Sequence, residues 1–211
     1  MGLVINSPRV VAFEGGDNVG KTTIIARLAQ RLNETGHSVQ TIRQPASCQL
    51  GEAVYNLHHQ YDSLPINGFA RQLLHVACHL QSYYEMDRVE ASPFILLSDR
   101  SFFSSMAYGW AYPTDEKTRD QEVQWIWEIE TTLCPKWLIP SHVVLFRNRP
   151  YVIENTEWEN YERVRDAYLK VFSLPYVVNG LKAVGTKVLH VHNDPGRQGE
   201  CLDMITEFIA S

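Results

Sequence analysis

The stretch FEGGDNVGKTTI, residues 13 to 24, places three glycines, a lysine and two threonines where a strand should pass into a helix. From Gly15 the pattern Gly-x-x-x-x-Gly-Lys-Thr runs without a gap to Thr22. The apolar run before it, VVAF at 10–13, is typical of a strand buried on both faces, and apolar residues after it recur at helical spacing. This order of strand, loop and helix therefore predicts a phosphate-binding loop.

Each residue type in the loop has a place in phosphate chemistry. Glycines let backbone N–H groups turn toward phosphate oxygens, and the N-terminus of the next helix adds partial positive charge. We expect Lys21 to reach the β- and γ-phosphates of ATP, and the Thr22 hydroxyl to hold Mg²⁺. The predicted ATP-binding residues are Gly15, Gly16, Asp17, Asn18, Val19, Gly20, Lys21, Thr22 and Thr23.

Length and composition bound the kind of protein. The chain has 211 residues, 45% hydrophobic and 20% charged, which predicts one soluble domain over residues 1–211. A net charge of −5 argues against a sequence-independent nucleic-acid groove. The four cysteines form no CxxC pair, which favours a reducing compartment such as the cytoplasm. No run of 18 apolar residues occurs, so we expect no membrane partner.

Apolar segments alternate with helical patterns along the chain. The predicted strands are 10–13, 38–42, 94–98, 142–146 and 187–191, and the predicted helices are 21–34, 66–90, 101–111, 116–132, 157–173 and 197–210. This alternation predicts an α/β fold with a five-stranded parallel sheet covered by helices on both faces. In such sheets, ligands bind at the carboxyl ends of the strands.

Arginines follow three of the predicted strands. Arg43 comes after the second, Arg100 after the third, and Arg147 and Arg149 after the fourth. Beside a phosphate loop, they predict a clamp for a second phosphate group. Asp99, at the end of the third strand, suits a water-mediated Mg²⁺ contact, with a helix N-cap as the alternative or additional role.

The motifs FEGGDNVGKTT, RQP, DRS and SSMAY, in this order, resemble the thymidylate kinases, whose members usually show FEGxDxxGKTT, REP, DRY and SxAYQ. LLHVACHLQSYY (73–84) is similar to the family's LLFxAxRxxH helix, and WENYERVRDAYLKVF (158–172) to its late VRxxYL helix. The resemblance covers about residues 9 to 173. It implies the P-loop NTPase three-layer sandwich, ATP and Mg²⁺ as cofactors, and dimerisation through helices, which the apolar surface of helix 66–90 also favours.

The resemblance also implies roles for single residues. Asp17 would lie near the sugar 3′-hydroxyl of the acceptor, Arg43 and Arg100 would hold its 5′-phosphate, and Tyr108 would press against the deoxyribose. One of two serines would face the base. The expected substrate-binding residues are Asp17, Arg43, Pro45, His75, His79, Arg100, Ser104, Ser105 and Tyr108.

The base-binding part of the pattern differs from the family. His75 stands at the position of a stacking phenylalanine, His79 at that of an arginine, and Gly109 at that of a glutamine. These changes predict a base preference broader than thymine, or shifted to another pyrimidine. The two histidines lie four residues apart on one helix face, a spacing that can also bind zinc, although no third ligand is evident.

The lid and the second strand end differ too. The segment at about 147–157 is some twenty residues shorter than usual in the family, so Arg147 and Arg149 are the candidates for a transition-state cation beside Lys21 and Arg100. Gln44 replaces the glutamate of the REP motif.

A nucleoside kinase needs a carboxylate base to deprotonate a hydroxyl, whereas a monophosphate acceptor is already an anion. The sequence therefore predicts a P-loop kinase that phosphorylates a deoxynucleoside monophosphate. The expected acceptor is a pyrimidine nucleotide similar to dTMP. The alternatives are a deoxynucleoside kinase and a nucleotide-binding protein without catalysis.

Overall fold

The computed structural model describes residues 9–46, 48–60, 66–86, 95–148, 151 and 158–211. The strands are β1 (Arg9–Glu14), β2 (Val39–Arg43), β3 (Ile95–Asp99), β4 (His142–Phe146) and β5 (Lys187–Val191). The helices are α1 (Lys21–Glu34), α2 (Gln49–Gln60), α3 (Gly68–Met86), α4 (Phe102–Ala111), α5 (Arg119–Leu133), α6 (Trp158–Val171), α7 (Pro175–Val184) and α8 (Gln198–Ala210).

The five strands form one parallel sheet in the order β2-β3-β1-β4-β5. The predicted α/β class and the five-stranded parallel sheet are therefore confirmed. β1 lies at the centre, between β3 and β4, so its carboxyl end meets theirs at one edge of the sheet. The phosphate loop, Asp99 and the residues after β4 are brought together by this order alone.

Side chains of the central strands alternate between two cores, which makes the fold three-layered. Val11 and Phe13 pack with α1 and α8 on one face, in a cluster that includes Leu28 and Ile205. Ala12 faces the other way and joins a cluster built mainly from α4, α5 and α6. This two-residue period explains why the strands read as continuous apolar runs, since both faces are buried.

Several predicted boundaries differ from the observed ones. The helix predicted at 66–90 is observed from Gly68, where the Asn67 side chain accepts a hydrogen bond from Ala70 N at 2.8 Å, and residues 87–90 lie outside the described part. The helix predicted from 116 begins at Arg119, after a turn in which Thr118 N donates to Asp115 O. The predicted first residue of the third strand, 94, also lies outside the described residues.

Two helices had no counterpart in the prediction. α2 is short and has only three apolar residues at helical spacing, Leu50, Val54 and Leu57. α7 contains Gly180, a weak helix former, and ends at Gly185 in the left-handed conformation. Gly180 is present for a packing reason that sequence does not show. A Cβ built there would overlap Cζ2 of Trp127 and lie 3.0 Å from its Cη2.

Within the described helices, none is long and apolar enough to cross a membrane.

Gly180→Ala should destabilise the protein although alanine is the better helix former. The Trp127 ring is rigid and packs against Phe102, Phe103 and Tyr176, so we expect a loss of about 1–3 kcal/mol in the free energy of unfolding. The matched control is Gly199→Ala in α8, where a new Cβ meets nothing within 4 Å and should stabilise by about 0.5–1 kcal/mol. Urea unfolding measures both; equal effects of the two variants would contradict the packing of α7 on α5.

Candidate active site

The loop after β1 has a backbone that only glycine permits at two points. Gly15 has φ 137°, and a Cβ there would lie 2.9 Å from the carbonyl oxygen of Phe146. Gly20 has φ 85°, and its Cβ would lie 2.5 Å from Nδ2 of Asn193. Side chains are excluded at both ends of the loop, so its backbone can curve closely around a ligand.

Lys21 lies buried at the start of α1 and reaches back across the loop. Its Nζ donates to the carbonyl oxygens of Gly15 at 3.1 Å and Gly16 at 2.6 Å. Burial, aided by the charge of Arg100, lowers the pKa of Lys21 to about 7. Burial removes the water that would stabilise the charged amine. An anion bound in the loop would stabilise that charge instead, as expected of a phosphate-binding lysine.

Thr22 and Asp99 form the pair that fits a magnesium ion. The Thr22 hydroxyl donates to Asp99 Oδ2 at 2.6 Å, and the carboxylate is 6% exposed. Two adjacent oxygen donors suit Mg²⁺, which takes one or two protein oxygens and completes its shell with phosphates and water. Asp99 does not cap the next helix, since the Ser101 side chain takes that role by accepting from Phe103 N.

Arg100 lies at the centre of the site. It adopts a left-handed backbone, φ 73°, directly after β3. Its guanidinium donates to Gly15 O at 3.2 Å, to the Tyr168 hydroxyl at 3.0 Å and to Asp17 Oδ1 at 2.5 Å. A left-handed arginine is unusual and is kept only where surrounding contacts over-determine it. These contacts fix the guanidinium beside the phosphate loop.

Asp17 and Tyr108 complete the outer side of the Arg100 contacts. The Tyr108 hydroxyl donates to Asp17 Oδ2 at 2.8 Å, and the Arg100 guanidinium lies over the Tyr108 ring at 5.4 Å. Enclosure by the protein would raise the pKa of Asp17, but Arg100 and the Tyr108 hydroxyl outweigh it and hold that pKa below its usual value. Asp17 is therefore an anion that orients Arg100 and is not poised as a proton acceptor.

Glu14 lies underneath this arrangement and was not among the predicted site residues. Its fully buried carboxylate accepts from the hydroxyls of Ser101 and Ser104, both at 2.6 Å, and from Tyr168 at 3.2 Å. Burial raises the pKa of Glu14, although the two serine hydroxyls act in the opposite direction. The signal in the sequence is an acidic residue ending an apolar strand, which needs partners from elsewhere in the chain.

Two cavities open at this edge of the sheet and meet at Arg100. The phosphate-loop cavity, of about 550 Å³, is lined by Asp17, Asn18, Val19, Gly20, Lys21, Thr22, Thr23, Arg43, Asp99, Arg100 and Tyr151. The α3 cavity, of about 470 Å³, extends from the same arginines toward helix α3. It is lined by Asp17, Arg43, Gln44, Pro45, Ala46, Tyr55, Arg71, Gln72, His75, His79, Arg100, Ser101, Ser104, Ser105 and Tyr108.

All nine predicted substrate-binding residues line the α3 cavity, so the structure brings them together. Ser104 is engaged within it, because it donates to Glu14 and pairs with the Tyr168 hydroxyl at 2.7 Å. The structure does not bring the predicted Arg147 into either cavity. Arg147 is exposed, lines neither cavity and acts electrostatically on His190, and Arg149 lies outside the described residues.

The α3 wall of the second cavity contains a buried hydrogen-bond network. His79 Nδ1 lies 2.6 Å from Glu130 Oε1, and the Tyr83 hydroxyl donates to Glu130 Oε2 at 3.3 Å. The acidic partner explains how a histidine can be buried on this face. In the described part of the chain, no group of three or more histidine, cysteine, aspartate or glutamate side chains could hold a metal, so the zinc alternative for His75 and His79 has no support.

Two asparagines and a tyrosine, none of them predicted, support the outer turn of the loop. The side-chain amides of Asn148 and Asn193 both donate to Val19 O, at 3.4 and 3.2 Å. Tyr151 N donates to Asn18 O at 2.9 Å, and its hydroxyl donates to Asn193 O. The ends of β4 and β5 thus fix the loop from the side opposite Arg100.

The sheet order, the glycine-lysine-threonine loop and the Thr22–Asp99 pair together define a P-loop nucleotide-binding protein. The thymidylate kinase family pattern matches residues 13–173. A thymidylate kinase of Thermosipho africanus is 29% identical over 187 residues, covering 82% of this chain and 90% of the relative. One from Geobacillus thermodenitrificans is 28% identical over 178 residues, 76% of this chain and 75% of the relative.

A crystal structure of thymidylate kinase from Ehrlichia chaffeensis superposes with a TM-score of 0.72 at 18% identity, over 97% of this chain and 99% of that one. The likeness extends over the whole sandwich and confirms the fold. The chain belongs to the thymidylate kinase family and is therefore a phosphotransferase.

Proposed function

We propose that the protein transfers the γ-phosphoryl group of ATP to the 5′-phosphate of a deoxynucleoside monophosphate, with dTMP the first candidate. The observation that carries the proposal is the junction of two cavities at Arg100. One cavity surrounds the phosphate loop, the other runs to α3, and they share Asp17, Arg43 and Arg100. Two nucleotides bound in these cavities would have their phosphates facing each other across the arginines, as an in-line transfer requires.

The residues of the chain contribute alignment and charge. Lys21 neutralises the donor phosphates, and Arg100, fixed by Gly15 and Asp17, aligns the acceptor phosphate with assistance from Arg43. Thr22 and Asp99 would hold Mg²⁺, which when bound neutralises charge on the phosphate oxygens. The acceptor phosphate is anionic at neutral pH, so no general base is required.

The end of β2 favours a monophosphate acceptor over a nucleoside. Gln44, 4% exposed, occupies the position where a carboxylate base would be needed. The nearest alternative base, Asp17, is committed to Arg100 and Tyr108. An acceptor that needs deprotonation would find no suitable group among these residues. Tyr108 lines the α3 cavity, which supports the proposal that it presses on the sugar and disfavours a 2′-hydroxyl.

We further propose that residues 1–211 act as a single kinase domain with a shortened lid at about 147–157. Tyr151 supports this role, because it contacts the loop through Asn18 and lines the phosphate-loop cavity.

A cytoplasmic location is also proposed. All four cysteines are free and buried, as expected where thiols are kept reduced.

An ADP-release assay with four deoxynucleoside monophosphates and the matching nucleosides tests this function. We expect turnover with dTMP and none with the nucleosides. Lys21→Ala should lower kcat by about a hundredfold or more, because it removes a charge that stabilises the transferred group. The control is Lys182→Ala, outside both cavities in α7, which should leave kcat unchanged. Turnover of nucleosides alone would indicate a nucleoside kinase, and ATP binding without turnover a non-catalytic protein.

We also propose a homodimer formed through helices α2 and α3. Leu50 on α2 and Leu73 on α3 are 43% and 38% exposed. Large apolar side chains exposed on neighbouring helices favour a protein–protein contact there. Light scattering at tens of micromolar should give twice the mass of the chain, and Leu73→Glu should halve it. Leu133→Glu, at an exposed site at the end of α5, is the control and should remain dimeric. A monomeric wild type would disprove the dimer without affecting the kinase proposal.

A further inference from the structure

The proposed function fixes which way the acceptor lies in the α3 cavity. Its phosphate must be near Arg100, at the junction with the phosphate-loop cavity. Asp17 and Tyr108 follow on the sugar side, and the far wall is formed by α3, with Gln72, His75 and His79. The base therefore lies against α3, and the polar groups of that wall decide which base binds.

One polar atom of the α3 wall has no partner. Gln72 is 3% exposed, and its carbonyl oxygen Oε1 is buried without a hydrogen-bond donor. Among the buried side-chain polar atoms that lack a partner in the described part of the chain, it alone belongs to a residue lining this cavity. A buried carbonyl without a donor is unfavourable, and a leucine or methionine would pack there without that penalty. A ligand that brings an N–H group would satisfy it.

The residue facing Gln72 explains how its side chain is accommodated. A Cβ built on Gly109 would lie 3.5 Å from Gln72 Cγ and 3.4 Å from Ile126 Cδ1. Both are ordinary van der Waals distances, so an alanine would fit at this position without a clash. A long side chain at 109 would have to enter the space beside Gln72. Because position 109 carries no side chain, this space stays free beside the Gln72 side chain.

The neighbouring His79 leaves only one ring nitrogen, Nε2, for a ligand, because its Nδ1 is paired with Glu130. His79 Nδ1 lies 2.6 Å from Glu130, and the Glu130 carboxylate is fully buried, so the imidazole is oriented by the protein. The amide of Gln72, by contrast, carries a carbonyl and an N–H₂ group side by side, and the carbonyl is the atom in need of a partner.

We propose that Gln72 is the residue that selects the base, by accepting a hydrogen bond from the N3–H group of a 2,4-dioxopyrimidine. Its amide N–H₂ donates to the adjacent ring carbonyl. Thymine and uracil both present this edge, whereas cytosine has an unprotonated N3. The preferred acceptors are therefore dTMP and dUMP, and the 5-methyl group is not read by Gln72.

The test measures kcat/KM for dTMP, dUMP and dCMP in wild type and in Gln72→Met, a substitution that keeps volume and removes the amide. We expect kcat/KM for dTMP and dUMP to fall about tenfold to a hundredfold, as for a lost buried hydrogen bond, while dCMP changes little. The KM for ATP should stay unchanged, because Gln72 does not line the phosphate-loop cavity. The control is Gln81→Met, on the same helix but outside the α3 cavity, where the amide only bonds Glu85.

If Gln72→Met and Gln81→Met discriminate among the three bases as wild type does, Gln72 does not read the base. Should Gln72→Met fail to fold, wild type alone decides: turnover of N3-methyl-dTMP equal to that of dTMP would overturn the proposal, and loss of turnover would support it. Failure of the kinase proposal would look different, since wild type would then transfer phosphate to none of the three monophosphates.

Discussion

The Arg100 guanidinium donates hydrogen bonds to Gly15 and Asp17, and these bonds connect the loop after β1 with the segment after β3. Several neighbouring contacts hold this arrangement in place. Asp17 and Gly15 belong to the loop after β1, whereas Arg100 follows β3. They meet because β1 and β3 are neighbours in the sheet, paired so that Phe13 lies opposite Asp99. The backbone N–H of Arg100 also donates to Phe13 O, which continues the strand pairing to the edge where the ligands bind.

The second constraint is charge beneath that contact. The Arg100 guanidinium acts on the buried Lys21 amine across the phosphate loop, and the repulsion between these two positive charges needs compensation. Glu14 supplies it from below, held by Ser101, Ser104 and Tyr168, while Asp17 and Asp99 supply it from the cavity side. The phosphate end of the site is therefore over-determined by hydrogen bonds.

Local patterns predicted the parts of the molecule that depend on local chemistry. The loop from Gly15 to Thr22 has a recognisable spacing, and the buried strands have a recognisable periodicity. Because ligands bind at the carboxyl ends of parallel strands, the sequence also predicts that Arg43, Asp99 and Arg100 lie together, and all three line the phosphate-loop cavity. Features that depend on distant partners could not be predicted this way. Gly180 faces Trp127 from another helix, and Arg147 is exposed where the sequence only showed an arginine after a strand.

The central claim is that Arg100 serves the acceptor side of a shared site. Arg100→Ala tests it when kcat/KM for dTMP and the affinity for ATP without acceptor are measured separately, with Arg119→Ala, outside both cavities, as the control. We expect kcat/KM for dTMP to fall by about a hundredfold or more, while the Kd for ATP changes less than about threefold. A collapse of ATP affinity with unchanged acceptor kinetics would contradict it and place Arg100 on the donor phosphates.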